Sequence, residues 1–173
     1  MKKIAIIYGP LKGNTDKVAK MIADEFGKEN IDLIPVGTAT NKTIDNYANI
    51  IFGVSTVGKH NWDSDHHGGN WDKYMPELEK ADLKGKTIAI FGLGDHVTYA
   101  LHFVDAIGIL SELVEKNGGK LIGQVSTEGY EFEDSKAVKD DMFMGLPIDE
   151  DYDADKTPGR VKNWVNQIKK DFQ

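Results

Sequence analysis

Seven residues, Gly9-Pro10-Leu11-Lys12-Gly13-Asn14-Thr15, stand between a short apolar run and a segment of helical periodicity. Backbone N–H groups at the start of such a helix, together with the positive end of its dipole, favour a phosphate. Asn14 and Thr15 add possible side-chain donors. The stretch fits neither the dinucleotide pattern G-x-G-x-x-G nor a P-loop, because Gly13 is followed by Asn14 rather than Lys. A plain turn with Asn14 or Thr15 as helix cap is the competing reading. A second group, Gly92-Leu93-Gly94-Asp95 followed by Tyr99, sets open backbone beside a lone aromatic ring. A flat ligand could be clamped by that ring while N–H and C=O groups address its polar edge. A tyrosine that only covers the core is the alternative. A third polar segment opens with Ser55, Thr56, Val57 and Gly58 and runs on to Asn70. It contains His60, Asp63, Asp65, His66 and His67, which are metal-ligand types, but their spacing matches no recurrent site and no metal is expected.

Absences narrow the chemistry further. The chain has no cysteine, which removes structural disulfides, thiolate metal sites, cysteine-ligated iron–sulfur clusters and a cysteine nucleophile. Redox chemistry would therefore come from a bound organic cofactor or a metal held by His and carboxylates. A formal charge of −7 argues against nucleic acid as a partner and favours basic ones.

These segments follow strands. Residues 3–8, 31–36, 50–55, 87–91 and 120–125 read as strands, several as near-continuous β-branched runs buried on both faces. Helical spacing marks residues 14–26, 71–79, 100–116 and 158–172, the third stopped by Asn117-Gly118-Gly119. Strands alternating with helices make an α/β doubly wound parallel sheet, whose ligands sit beyond the carboxyl ends of the strands. Residues 126–144 break the rhythm, and the apolar Phe143-Met144-Gly145-Leu146 could return to the sheet edge. At 173 residues with 40% hydrophobic and 28% charged content, one domain over residues 1–173 is expected. No apolar run is long enough to span a bilayer and no signal-peptide core follows Met1-Lys2-Lys3, so a cytoplasmic location is expected.

The ordered set Tyr8-Gly9 with Gly13-Asn14-Thr15, Phe91-Gly92-Leu93-Gly94-Asp95 with Tyr99, and Asp105-Ala106-Ile107-Gly108-Ile109-Leu110 resembles the long-chain flavodoxins. The segments Ser126-Thr127-Glu128-Gly129-Tyr130, Ser135-Lys136-Ala137 and Gly145-Leu146 with Ile148-Asp149-Glu150-Asp151 extend the resemblance over essentially the whole chain. It implies the flavodoxin-like five-stranded order 2-1-3-4-5, a fold that itself illustrates the carboxyl-end rule, with the last strand interrupted by an insertion. It also implies non-covalent FMN, its phosphate in residues 9–15 and its ring between the loops after the third and fourth strands. Tyr99 matches the stacking tyrosine, Asp95 lies in the loop on the pyrimidine side, and Gly58 matches a glycine whose peptide can turn toward the flavin. The implied function is a low-potential one-electron carrier, a monomer docking basic redox partners, with no catalytic residues. An FMN-dependent quinone or azo reductase, or a non-redox phosphoacceptor or ligand-sensing module, are the alternatives.

Three departures from that pattern stand out. Pro10 and Lys12 replace hydroxyl residues in the phosphate loop, and Lys12 is expected to approach the phosphate. Val57 stands where a tryptophan commonly covers the flavin, which makes Trp62 the candidate to fold back over it. The loop of residues 59–69 is long. Asp63, Asp65, Asp95 and Asp149 are expected to form an acidic rim that disfavours the fully reduced, anionic flavin, with Lys59 opposing them.

Overall fold

The computed structural model describes residues 2–55 and 70–172. Its elements run β1 (Ile4–Tyr8), α1 (Asn14–Phe26), β2 (Ile31–Pro35), α2 (Asn41–Asp45), β3 (Asn49–Ser55), α3 (Trp71–Leu78), β4 (Thr87–Leu93), α4 (Asp105–Lys116), β5 (Lys120–Ile122), β6 (Val125–Ser126), β7 (Val138–Lys139), β8 (Met142–Phe143), β9 (Leu146–Ile148) and α5 (Thr157–Ile168). The main sheet is parallel in the order β2-β1-β3-β4-β5, with β9 also paired to β4. The expected architecture is therefore present.

Alternate residues of each central strand serve opposite faces, as the pleat dictates. In β1, Ala5 and Ile7 pack with α3 and α4, while Ile4 and Ile6 pack with α1 and α5. Both layers bury large aromatics, Trp71 on one side and Trp164 on the other. With both faces covered, the strands read as continuous apolar runs.

The last strand is split in two. Thr87 to Ala89 of β4 pair with Lys120 to Ile122, and Phe91 to Leu93 pair with Leu146 to Ile148. Between the halves lies an insertion whose β6, β8 and β7 form a small antiparallel sheet. The sequence suggested a strand through Val125, but it stops at Ile122. Gly123 has φ +84, and its carbonyl accepts from the Trp164 indole at 2.8 Å, so the chain turns away from β4 there.

The third long helix, α4, also starts later than its periodicity suggested, at Asp105 rather than near Ala100. The insertion holds residues 100–104 in turns. The Ala100 carbonyl accepts from the N–H groups of Glu133 and Asp134, both at 2.9 Å, and the Ser135 hydroxyl donates to the Phe103 carbonyl. Asp105 at the helix start accepts from the Lys136 N–H at 2.8 Å. Tertiary hydrogen bonds here override local helix propensity. Among the described residues no helix is long and apolar enough to cross a membrane.

Candidate functional site

The first loop delivers an open helix start. Gly13, in extended conformation, is the residue before α1, and no side chain caps the helix. Neither Asn14 nor Thr15 is the cap, so the first-turn N–H groups have no side-chain cap among the described residues and are available to an anion. Asp16 in that turn would oppose an anion, but Lys20 at 2.7 Å and the Tyr8 hydroxyl at 3.0 Å both bond its carboxylate. The Lys20 hydrogen bond, with that of Tyr8, outweighs burial and holds the Asp16 pKa below the ordinary range.

A cleft of about 200 Å³ opens beside this helix start. Pro10, Asn14 and Thr15 line one side, and Ser55 closes the end of β3. Leu93, Gly94, Asp95 and Tyr99 form the opposite wall. Three segments chosen from sequence thus meet around one space. Gly9, Leu11, Lys12, Gly13 and Gly92 are not among its lining residues. Gly9 is buried and donates its N–H to the Gly53 carbonyl, whereas Leu11 and Lys12 are exposed on the loop. Gly92 owes its lack of a side chain to packing, since a Cβ there would meet Ile107 at 2.6 Å. Thr56, Val57, Gly58, Lys59, His60, Trp62, Asp63, Asp65, His66 and His67 lie outside the described residues. Among the described residues no group of three His, Cys, Asp or Glu could hold a metal ion.

The wall after β4 is a built turn. Asp95 Oδ1 accepts from the N–H groups of Val97 at 3.0 Å and Thr98 at 2.7 Å. The Tyr99 N–H donates to the Asp95 carbonyl at 3.1 Å, placing the tyrosine at the cleft. Burial pushes the Asp95 pKa upward, but the hydrogen bonds from Thr98 and Val97 outweigh it and hold the carboxyl below its ordinary range.

Glu150 and Asp151 complete the cleft, and the motif reading did not assign them to it. They follow β9. Because β9 is a parallel partner of β4, its carboxyl end opens on the same space, which is the signal that could have found them. Glu150 Oε2 pairs with Lys17 at 2.6 Å and its side chain is 4% exposed, while Oε1 is buried with no hydrogen-bond partner among the described residues. A buried acceptor in this state calls for a donor. Burial, then the charges of Asp149, Asp95 and Glu150, push the Asp151 pKa up. Asp149, expected on an acidic rim, is instead 1% exposed and fully engaged in hydrogen bonds. Asp95 likewise spends one carboxylate oxygen on its own turn.

The family model for flavodoxins matches residues 6–164. The chain belongs to the flavodoxin family. It is 42% identical over 171 residues to the flavodoxin of a Nostoc species, covering 99% of this chain and 98% of that relative. With Flavodoxin 1 of Escherichia coli it shares 36% over 168 residues, covering 96% and 93%. The structure of Fusobacterium nucleatum flavodoxin bound to flavin mononucleotide matches with a TM-score of 0.91 at 30% identity, over 100% of both chains. In this flavodoxin the second half of the interrupted last strand leads into the cleft, where Glu150 and Asp151 follow it.

Proposed function

We propose that this flavodoxin holds one FMN non-covalently in the cleft and carries single electrons at low potential between redox proteins. It is an electron-transfer protein rather than an enzyme. The observation that carries the reading is the donor and acceptor pattern of the cleft. An uncapped helix start at one end suits a phosphate, and the orphaned Glu150 Oε1 suits a ligand with hydroxyl donors. FMN has both features joined to a flat ring, and the Fusobacterium relative is bound to it.

When bound, FMN supplies the one-electron chemistry. The chain binds, orients and shields. The first-turn N–H groups of α1 and the side chains of Asn14 and Thr15 would take the phosphate, Lys12 would add a cation from the exposed loop, and Ser55, Glu150 and Asp151 would receive the hydroxyl chain. Tyr99 presents its ring to the flavin, and the backbone of Leu93, Gly94 and Asp95 addresses its polar edge. Thr56, Val57, Gly58 and Trp62 belong to the site in this reading on the strength of the sequence alone. Gly9, Leu11, Gly13 and Gly92 act through backbone geometry. The remaining assignments are a single domain, a monomer, a cytoplasmic location and partners with basic docking surfaces. The acidic charge and the exposed carboxylate of Asp151 at the cleft support the last of these.

Purification tests the reading directly. The expected protein is yellow, contains one FMN per chain and is reduced in two one-electron steps. A colourless protein that fails to take up added FMN would overturn it, and rapid oxidation of NAD(P)H without a reductase would favour the enzyme alternative.

A further inference from the structure

Past the end of the sheet, two cleft loops are joined through one carboxylate. The last backbone link is the Gly94 N–H donating to the Ile148 carbonyl at 2.9 Å. Beyond it, Asp149 Oδ2 accepts the His96 N–H at 2.9 Å and lies 2.5 Å from His96 Nδ1. Asp149 Oδ1 accepts from Asp151 at 2.8 Å and from Tyr152 at 2.9 Å, again through their N–H groups. One side of Asp149 therefore holds the loop that carries Asp95 and Tyr99, and the other holds the loop that carries Glu150 and Asp151. With both its oxygens accepting backbone N–H bonds, Asp149 is the acceptor and Nδ1 is the nitrogen that bears the proton.

The histidine is set rather than free. Its side chain is 12% exposed, and its ring meets Phe103 edge-on at 6.1 Å and Tyr152 at 5.7 Å. Phe103 is in turn packed against Tyr130, Phe132 and Phe143 of the insertion. Thus the ring of His96 is braced by the insertion on one side and by the β9 loop on the other.

We propose that His96 is a positioning residue of the cofactor site, acting through Asp149 to hold the ring-side and hydroxyl-side walls of the cleft at one fixed separation. The inference rests on the FMN reading above. It assigns no contact between His96 and the cofactor. Its effect falls on the ring and the hydroxyl chain, whose walls it ties together, rather than on the first-turn N–H groups of α1; the β9 loop reaches that helix only through the Glu150–Lys17 pair.

The distinguishing test uses two ligands, FMN and riboflavin, which differ only in the phosphate. His96→Leu keeps bulk and removes the Nδ1 donor. His96→Asn keeps a donor near the Nδ1 position. We expect His96→Leu to weaken both ligands by about tenfold or more, the size of a lost buried hydrogen bond to a charged group, and by the same factor. His96→Asn should return both to within about threefold of the native chain. Asp149→Asn should weaken both, and the double variant His96→Leu/Asp149→Asn should be no worse than the weaker single, because both changes break one linkage. A thermal melt of each apoprotein shows that the variants are folded. If His96→Leu leaves both affinities unchanged, or selectively lowers that for FMN, or if the double variant is additive, the inference is overturned. A native chain that binds neither flavin overturns the FMN reading itself, an outcome separate from any of these.

Discussion

The two ends of the cleft are built differently. At the end proposed to take the phosphate, residues 9–15 leave Leu11, Lys12, Gly13 and Asn14 exposed, and a Cβ at Gly13 would have nothing within 4 Å among the described residues. At the end proposed to take the ring, residues 94–104 are tied to Ile148, to Asp149 and, through Ala100 and Phe103, to the insertion. A helix start attracts an anion through its own N–H groups and dipole once Asp16 is engaged by Lys20 and Tyr8, so that end needs little further scaffolding. Holding a flat ring demands fixed walls, because looseness in them weakens the stack directly. The insertion in the last strand supplies that rigidity, and its second half adds two carboxylates to the site.

The largest effect in this comparison is expected from Gly108. A Cβ there would run into the backbone of Lys136 and Ala137, so Gly108→Ala must push the insertion off α4. Overpacking of this kind costs about 1–3 kcal/mol, and the melting temperature should fall by roughly 3–10 °C. FMN should be held more weakly as well, since the ring-side loop loses its brace. Equal melting curves for variant and native protein would break the contrast between the two ends.

Tyr99→Ala comes next. Removing a stacking ring is worth about 1 kcal/mol beyond its buried area, so a fluorescence titration with FMN should show at least about a tenfold loss of affinity. Tyr99→Phe should stay close to native. Lys12→Ala, at the exposed end, should weaken FMN only about two- to fivefold, the scale of an exposed ion pair. The loss should shrink at high salt. Unchanged affinity and salt dependence would remove Lys12 from the phosphate site.

The smallest effect sharpens the electrostatic side. The Asp151 pKa stands above its ordinary value through burial and the charges of Asp149, Asp95 and Glu150. A carboxyl with a raised folded-state pKa favours the fold below its unfolded pKa, and that contribution is lost as pH rises through the folded value. Asp151 is exposed and solvent screens the repulsion, so Asp151→Asn should raise the melting temperature of the apoprotein by no more than about 1 °C at neutral pH. The difference should vanish below the ordinary carboxylate range. Melts across pH check both the sign and the window.

The parallel core was legible because strands buried on both faces must be continuous apolar runs. Three of the four cleft walls were legible because they follow such strands in chain order. The fourth was harder. β9 has three residues, Leu146–Ile148, one of them a proline, and the chain reaches β4 only after the insertion. Neither length nor periodicity marks it as the carboxyl half of β5. The start of α4 was misread for a related reason: the periodicity from Ala100 is real, but the insertion captures the carbonyls of Ala100 and Phe103 and holds that stretch in turns. Asp149 reads from sequence as one more acid in an acidic run, and only the fold reveals it as buried and bonded to His96.

The central claim is that this cleft holds one FMN for single-electron transfer. A spectroelectrochemical titration of the purified protein tests it most directly. The account predicts one FMN per chain and two resolved one-electron steps, with no turnover of NAD(P)H in the absence of a partner reductase. A single unresolved two-electron step accompanied by direct NAD(P)H oxidation would contradict it.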